Sequence, residues 1–414
     1  MKIVKSITAI TLALLAGTAA GQVTSSPYSK SAYGLLSDNA TSIQRSMGGV
    51  GYAMQNGRTI NVMNPASYSQ VDSLTFLWDI GLDLTNLSSK EGDKTGNSFG
   101  GGLDYITSQF KIAKHLGGSF GLLPYSSVGY SFGSDLDNGA EYRSGSGGLV
   151  ELYVGAGYEP FKGLSIGANF SYLFGTINNT TQLTAASTSM FNRVMQVRDY
   201  NATAGIQYAY SINKDNRIVI GATYRPKKSF HGHTWGAKYD TQDNTNSVDS
   251  LGYTSLKGKY EQPNTFGAGV SYTFRQRLMV EADFTYQPWS KAKYEPLEGF
   301  EDTNMKFDNR WKAAAGMSYT PNKRGSYLGA MQFRAGGFYN HDYLNIRGNN
   351  VRDYGVSIGV GLPVPGPTGK TTVNIGLEWK RRTSSPTVLI KEDYFNITLG
   401  LNFNEVWFWK NKIR

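Results

Sequence analysis

The chain has 414 residues, a formal net charge of +10, 49 glycines, 13% aromatic residues and no cysteine. The missing thiol excludes disulfides, thiolate metal sites and a lipidated N-terminus, and the lack of any later run near about 18 apolar residues excludes a helical inner-membrane protein. Abundant glycine and aromatics with few helix formers favour strands joined by turns.

The N-terminus, MKIVKSITAITLALLAGTAAGQ, places two lysines before an apolar run from Ile7 to Leu15 and ends in small residues. This is the layout of a secretory signal peptide, residues 1–21, with cleavage after Ala20 or Gly21 equally compatible. Its removal takes away Lys2 and Lys5, so the charge falls from +10 to +8. An exported chain with no basic-aromatic cluster is not expected to bind nucleic acid, and the excess charge points to anionic lipid or an acidic lumenal ligand.

Residues 22–73 lack strand periodicity and are too polar for a separate core. They include NVMNPASYS, residues 61–69. Proline fixes φ, asparagine caps a turn through its side chain and alanine allows close backbone approach. Asn64, Pro65 and Ala66 are therefore expected to lie against a lumen wall, within a segment that plugs a wide barrel.

Residues 74–414 alternate apolar and polar side chains with period two, as in Phe395, Ile397, Leu399, Leu401 and Phe403 against Asn396, Thr398, Gly400 and Asn402. Such alternation gives a strand one greasy and one wet face. The pattern predicts strands at roughly 74–86, 101–113, 119–132, 148–158, 164–175, 192–212, 217–236, 255–274, 277–291, 304–320, 329–342, 352–362, 371–382 and 393–403. A soluble sandwich would show no systematic alternation of loop lengths. Here tight connections at 213–216 and 275–276 alternate with long polar ones at 86–101, 133–148 and 240–252, and aromatics close many strands. That arrangement fits an all-β, transmembrane antiparallel barrel of about 14 strands with an N-terminal hatch in its lumen.

The succession of SIQRSMGGVGYAM (residues 42–54), NPAS (64–67) and the strand pattern resembles the FadL family of outer-membrane channels for long-chain fatty acids and other hydrophobic compounds, in the form common among Bacteroidota. The resemblance covers nearly the whole mature chain. It implies a hatch motif at Asn64, Pro65 and Ala66, and a kinked third strand that opens the wall so that ligand leaves sideways. That strand reads SFGLLPYSSVGYSF, Ser119 to Phe132. On its outward register Phe120 and Leu122 are followed by Pro124 and Ser126, and then by Val128 and Tyr130. A proline that cannot donate to the ladder and a serine facing lipid make Pro124 and Ser126 the expected lateral gate. An ordinary bulge at a barrel rim is the other reading.

Catalysis is not expected. The four histidines, His115, His231, His233 and His341, fall at turns and strand ends. No nucleophile, phosphate-binding or dinucleotide motif is present, and no cofactor or metal is implied. The inward register carries Arg310, Lys312 and Arg334 together with Glu281, Asp283, Glu378 and Lys380. The three cations named first are candidates to hold a ligand carboxylate; mutual salt bridging and contact with the plug is the alternative. KRRTSSP, from Lys380, is expected at a loop base touching lipopolysaccharide phosphates, and Trp407 and Trp409 at the periplasmic interface.

The function expected is passive uptake of hydrophobic compounds such as long-chain fatty acids across the bacterial outer membrane, with lateral release at the third strand. The alternative is a structural subunit of an outer-membrane secretion or barrel-assembly complex, and a hydrophilic porin would require an unblocked lumen. Outer-membrane lipid, lipopolysaccharide, a hydrophobic small molecule and other outer-membrane proteins are the implied partners.

Overall fold

The protein is described from a computed structural model that covers residues 25–185, 187–241, 248–256, 260–301, 306–322, 326–364 and 371–406. The signal peptide, Trp407 and Trp409 lie outside the described residues. Fourteen antiparallel strands close on themselves: β1 (Thr75–Glu91), β2 (Lys94–Ala113), β3 (Leu116–Leu136), β4 (Gly139–Phe161), β5 (Leu164–Thr184), β6 (Thr188–Ser211), β7 (Asn216–Arg225), β8 (Thr265–Phe274), β9 (Leu278–Gln287), β10 (Arg310–Tyr319), β11 (Gln332–Ile346), β12 (Asn349–Pro363), β13 (Thr372–Ser385) and β14 (Lys391–Val406). Closure runs from Thr75 opposite Val406 to Lys90 opposite Lys391. Every strand therefore has a neighbour on each side, the arrangement a bilayer demands of backbone groups. Among the described residues no helix is long and apolar enough to cross a membrane.

The outward residues of the lower barrel, among them Val154, Phe170, Ile220, Val270, Val356 and Ile358, are exposed. Hydrocarbon tails are the solvent that such a surface requires. Aromatics gather near strand ends: Phe76 stacks on Phe110 with ring centroids 5.5 Å apart, and Trp311 stacks on Tyr339 at 5.2 Å.

Several spans differ from those read in the sequence. The loops expected at 86–101 and 133–148 are continuous hairpins that turn at residues 92–93 and 137–138. Their strands extend beyond the ~9–11 residues a bilayer needs, and outside it both faces meet water, so alternation fades while pairing continues. The expected strand 217–236 breaks after Arg225, at Pro226, whose missing N–H cannot continue the ladder. Residues Gly232–Thr241 return to pair with the outer half of β6 and with Val248–Leu256, forming a separate hairpin. The expected strand 255–274 is likewise divided, and only its second part, β8, belongs to the lower wall.

Residues 25–73 run down the inside of this tube. A 3-10 turn, Pro27–Lys30, sits near the outer mouth; Leu35–Leu36 pairs with β3; a short helix, Ser42–Arg45, approaches β13 and β14; and a second 3-10 segment, Pro65–Gln70, reaches the periplasmic ends of β4, β5 and β6. The segment is buried although polar, and its own side chains satisfy part of it. Gln44 Nε2 donates to Asn61 Oδ1 (2.7 Å), and Asn61 Nδ2 donates to the carbonyls of Gly51 and Met54 (2.6 and 2.9 Å).

Candidate functional site

The lower plug is seated by close backbone approach. Asn64 Oδ1 accepts from Ala66 N–H (3.1 Å), capping the 3-10 segment, while its Nδ2 donates to the Tyr52 carbonyl (2.7 Å) and to the Ile206 carbonyl of β6 (3.2 Å). Gly117, Gly157, Gly167 and Gly205 lie side by side across β3, β4, β5 and β6. A Cβ on any of the last three would strike Pro65, and one on Gly117 would strike the Tyr68 carbonyl. Only glycine leaves room there for the plug backbone.

Carboxylates on the wall hold the middle plug. Asp283 Oδ2 accepts from the N–H groups of Gly51 and Tyr52 (2.6 and 3.0 Å), and Glu281 Oε1 accepts from Ala53 N–H (2.8 Å). Arg45 Nη2 donates to Asp104 Oδ1 at 2.9 Å. The Asp283 and Glu281 acceptors satisfy backbone amides that the irregular plug leaves without helical or ladder partners.

Of the three candidate lumenal cations the structure brings two together. Arg310 Nη2 and Lys312 Nζ, neighbours on the inward face of β10, both contact the carboxylate of Asp38 in the plug, at 2.8 and 2.6 Å. Burial alone would raise the Asp38 carboxyl, but Lys312 and Arg310 outweigh it and hold the group well below the usual carboxylate range. Arg334 lies apart, at the lower end of β11, bonded to Asn374 Oδ1 (2.9 Å) and Gln332 Oε1 (2.5 Å). Arg382, expected at a loop base, is instead buried in the lumen near Asp353 and Asp342 (3.7 and 3.9 Å), and Arg381 is forked on Asp393. The strand carrying them continues upward, so one of each adjacent pair must turn inward. The histidines sit at the edges: His115 meets Glu159, His231 meets Asp199, and His341 meets the Asn309 carbonyl.

The ladder of the wall is interrupted at one seam. The β2–β3 ladder runs from Ala113 opposite Leu116 to Ile106 opposite Leu122 and stops there, although β2 continues to Lys94 and β3 to Leu136. A bulge marks each strand at that level. Asp104 is the extra residue of β2 against β1, and Tyr125 is the extra residue of β3 against β4, between Pro124 and Ser126. The Tyr125 bulge reverses the alternation beyond it, as one inserted residue must. Ser126, Val128 and Tyr130, read in the sequence as facing lipid, are therefore buried on the lumen side. Plug residues cover the freed edge of β3: Leu36 pairs with Ser126, Leu35 with Ser127, Ser37 N–H donates to the Tyr125 carbonyl (2.9 Å), and Ser29 Oγ bonds both the N–H and the carbonyl of Gly129 at 3.0 Å.

Above this level an aromatic layer separates the charged lumen from the outside. Tyr33 packs edge-on against Phe230 and Tyr294 at 5.9 and 5.5 Å, and Val128 and Tyr130 join the same cluster. Over it lies a vestibule of about 1210 Å³, lined by Tyr130, Phe132, Phe191, Phe300 and Ile346 and by the cations Lys30, Arg143 and Arg193. Burial, followed by the charge of Arg143 and, less strongly, of Arg347 and Arg193, pushes the Lys30 ammonium down to about 8, against one opposing contribution from Glu141.

Sequence reasoning located the NPA turn and the β3 defect. It missed Asp38 and the Asp104 bulge, because neither has a local signature, whereas Glu281 and Asp283 meet the plug as the alternative reading of the inward charges has it.

Solved structures share this fold. The Pseudomonas putida toluene transporter TodX superimposes with a TM-score of 0.63 at 15% identity, over 89% of this chain and 99% of that one. A Pseudomonas aeruginosa FadL homologue gives 0.64 at 11%, over 90% and 99%. The Ralstonia pickettii toluene transporter TbuX gives 0.59 at 16%, over 88% and 98%. No curated protein matches the chain. The family model described as BamG matches residues 2–414. With the architecture of FadL-type outer-membrane channels, the chain belongs to the BamG family.

Proposed function

We propose that the protein is a passive outer-membrane channel for hydrophobic and amphiphilic compounds, including long-chain fatty acids, with lateral release through the seam between β2 and β3. The observation that carries this reading is the ladder that ends at Ile106 and Leu122 while both strands go on. A barrel has every reason to complete that pairing, since unpaired backbone facing lipid is costly. Here the β3 edge is turned inward and given to the plug instead, leaving an aperture beside the aromatic vestibule. Ligand would collect among Tyr130, Phe132 and Phe191, with its anionic end near Lys30 and Arg143, and pass out over the β3 edge. Residues 1–21 act as the cleaved export signal, residues 22–73 as the hatch and residues 74–414 as the barrel, with Pro124 and Ser126 at the gate.

Liposomes reconstituted with the purified protein should take up palmitate much faster than protein-free liposomes while excluding sucrose. Sucrose uptake would show an open porin, and palmitate uptake no faster than in empty liposomes would overturn the channel.

A second reading, a structural subunit of an outer-membrane secretion or barrel-assembly complex, draws on the outer part of β2. From Thr95 to Leu103 its seam-side edge has no ladder partner among the described residues, contains four glycines and carries no charge or proline. An edge so undefended is a template for a partner's strand.

A further inference from the structure

Arg310 and Lys312 are both more than nine-tenths buried, and they spend their charge on one carboxylate. The Asp38 side chain, by contrast, keeps about a third of its surface open (36%) and lines two adjoining cavities of about 110 and 190 Å³. Arg310 Nε is buried and has no hydrogen-bond partner, so the guanidinium retains an unused donor. Lys312 Nζ also lies 4.6 Å from the Phe338 ring centroid, which sets an apolar surface beside the cation pair. The site thus offers convergent cationic donors, one of them unsatisfied, with empty space and an aromatic face next to them.

Asp38 follows directly on Leu35, Leu36 and Ser37, the residues that cover the open edge of β3. The larger cavity touches both ends of this arrangement, being lined by Pro124, Ser126 and Ser127 as well as by Arg310 and Lys312. Whatever releases Asp38 from β10 also removes the charged anchor of the seam cover and leaves it held by its pairing with β3 and by neutral hydrogen bonds.

We infer that Asp38 is a tethered stand-in for a ligand carboxylate, and that a monocarboxylate amphiphile exchanging with it between Arg310 and Lys312 unlatches the strand covering the seam. The inference rests on the channel reading and gives that channel a ligand-operated latch. Exchange of one carboxylate for another on the same two donors is close to balanced, so the ligand needs only the added contacts of its tail to shift the population. An uncharged amphiphile of the same length has no claim on the cation pair and leaves the latch closed.

The chain has no native cysteine, so a single Leu36→Cys substitution reports the cover through its rate of maleimide labelling. Octanoate and octanol are the probes, in three proteins reconstituted in nanodiscs: Leu36→Cys alone, with Asp38→Asn, and with Asp38→Asn plus Lys312→Met. The last variant restores charge balance, should the second strain the fold. Octanoate, but not octanol, should accelerate labelling of the first. The second should label rapidly without ligand and bind octanoate on the order of tenfold more tightly, a gain of about 1.4 kcal/mol. The third should label rapidly with no gain in octanoate affinity. If both probes bind but act alike in all three proteins, or if Asp38→Asn leaves labelling slow, the latch is overturned and the channel stands. If neither probe binds any of the three, the channel reading falls with it.

Discussion

Deleting Tyr125 should close the seam and reduce palmitate uptake by at least about tenfold, since a bulge bends its strand and β3 straightens when the extra residue is removed. Tyr125 is the extra residue of β3 opposite Pro124–Ser126. Its loss leaves Pro124 opposite Val150 and Ser126 opposite Leu149 in a regular ladder, so Val128 and Tyr130 keep their inward faces while the bend in β3 is removed. The β3 edge would then lie in the plane of the sheet, free to pair with the outer half of β2, and Leu35–Leu36 would lose their partner. The barrel itself should persist, because the pairing of β3 with β4 runs the full length of both strands. Folded, heat-modifiable protein on a gel together with abolished uptake is the expected pair of results. Folded protein with undiminished uptake would place the exit elsewhere.

Removing residues 26–71 should convert a sealed barrel into an open pore. All fourteen strands pair with one another around the closure of β1 on β14, so the wall does not depend on the plug. What the plug leaves behind is a polar inner surface, with Asp283, Glu281, Arg310, Lys312 and the glycine row exposed to the lumen. Water solvates such groups far better than an empty cavity does. A 14-stranded barrel is wide enough to admit it. Planar-bilayer conductance should rise from no resolved steps to stable channel openings, and sucrose should enter liposomes. Unchanged conductance from correctly folded protein would mean that strands or loops, and not residues 26–71, seal the tube.

The barrel was legible in the sequence because lipid on one side and a wet lumen on the other impose a strict two-residue rhythm, as in Phe395 to Phe403. That rhythm fixes strand number where both faces are constrained. It fails above the membrane, where residues 86–101 and 133–148 look like loops but remain paired, and at Pro226, where an alternating run leaves the wall for an outer hairpin. Pro124 announced a ladder defect. The direction of the consequence was hidden, because the bulged residue is Tyr125 and one extra residue reverses every side chain after it. The inward placement of Arg310 and Lys312 followed from alternation. Their partner did not, since Asp38 stands 272 residues from Arg310 in a segment without period. Likewise, Asn64-Pro65-Ala66 signalled a turn against a wall, while the glycines that receive it are spread over four strands and become a row only through sheet register.

The most direct test of a sideways path is photolabelling with a diazirine fatty acid on protein in native membranes, scoring only adducts that unlabelled palmitate competes away. Adducts should fall on β3 between Leu123 and Phe132 and on plug residues Pro27 to Leu36, the surfaces that meet at the seam. Competed adducts confined to Asn61–Gln70 and the periplasmic strand ends would show ligand travelling straight down the lumen, and would contradict a lateral exit.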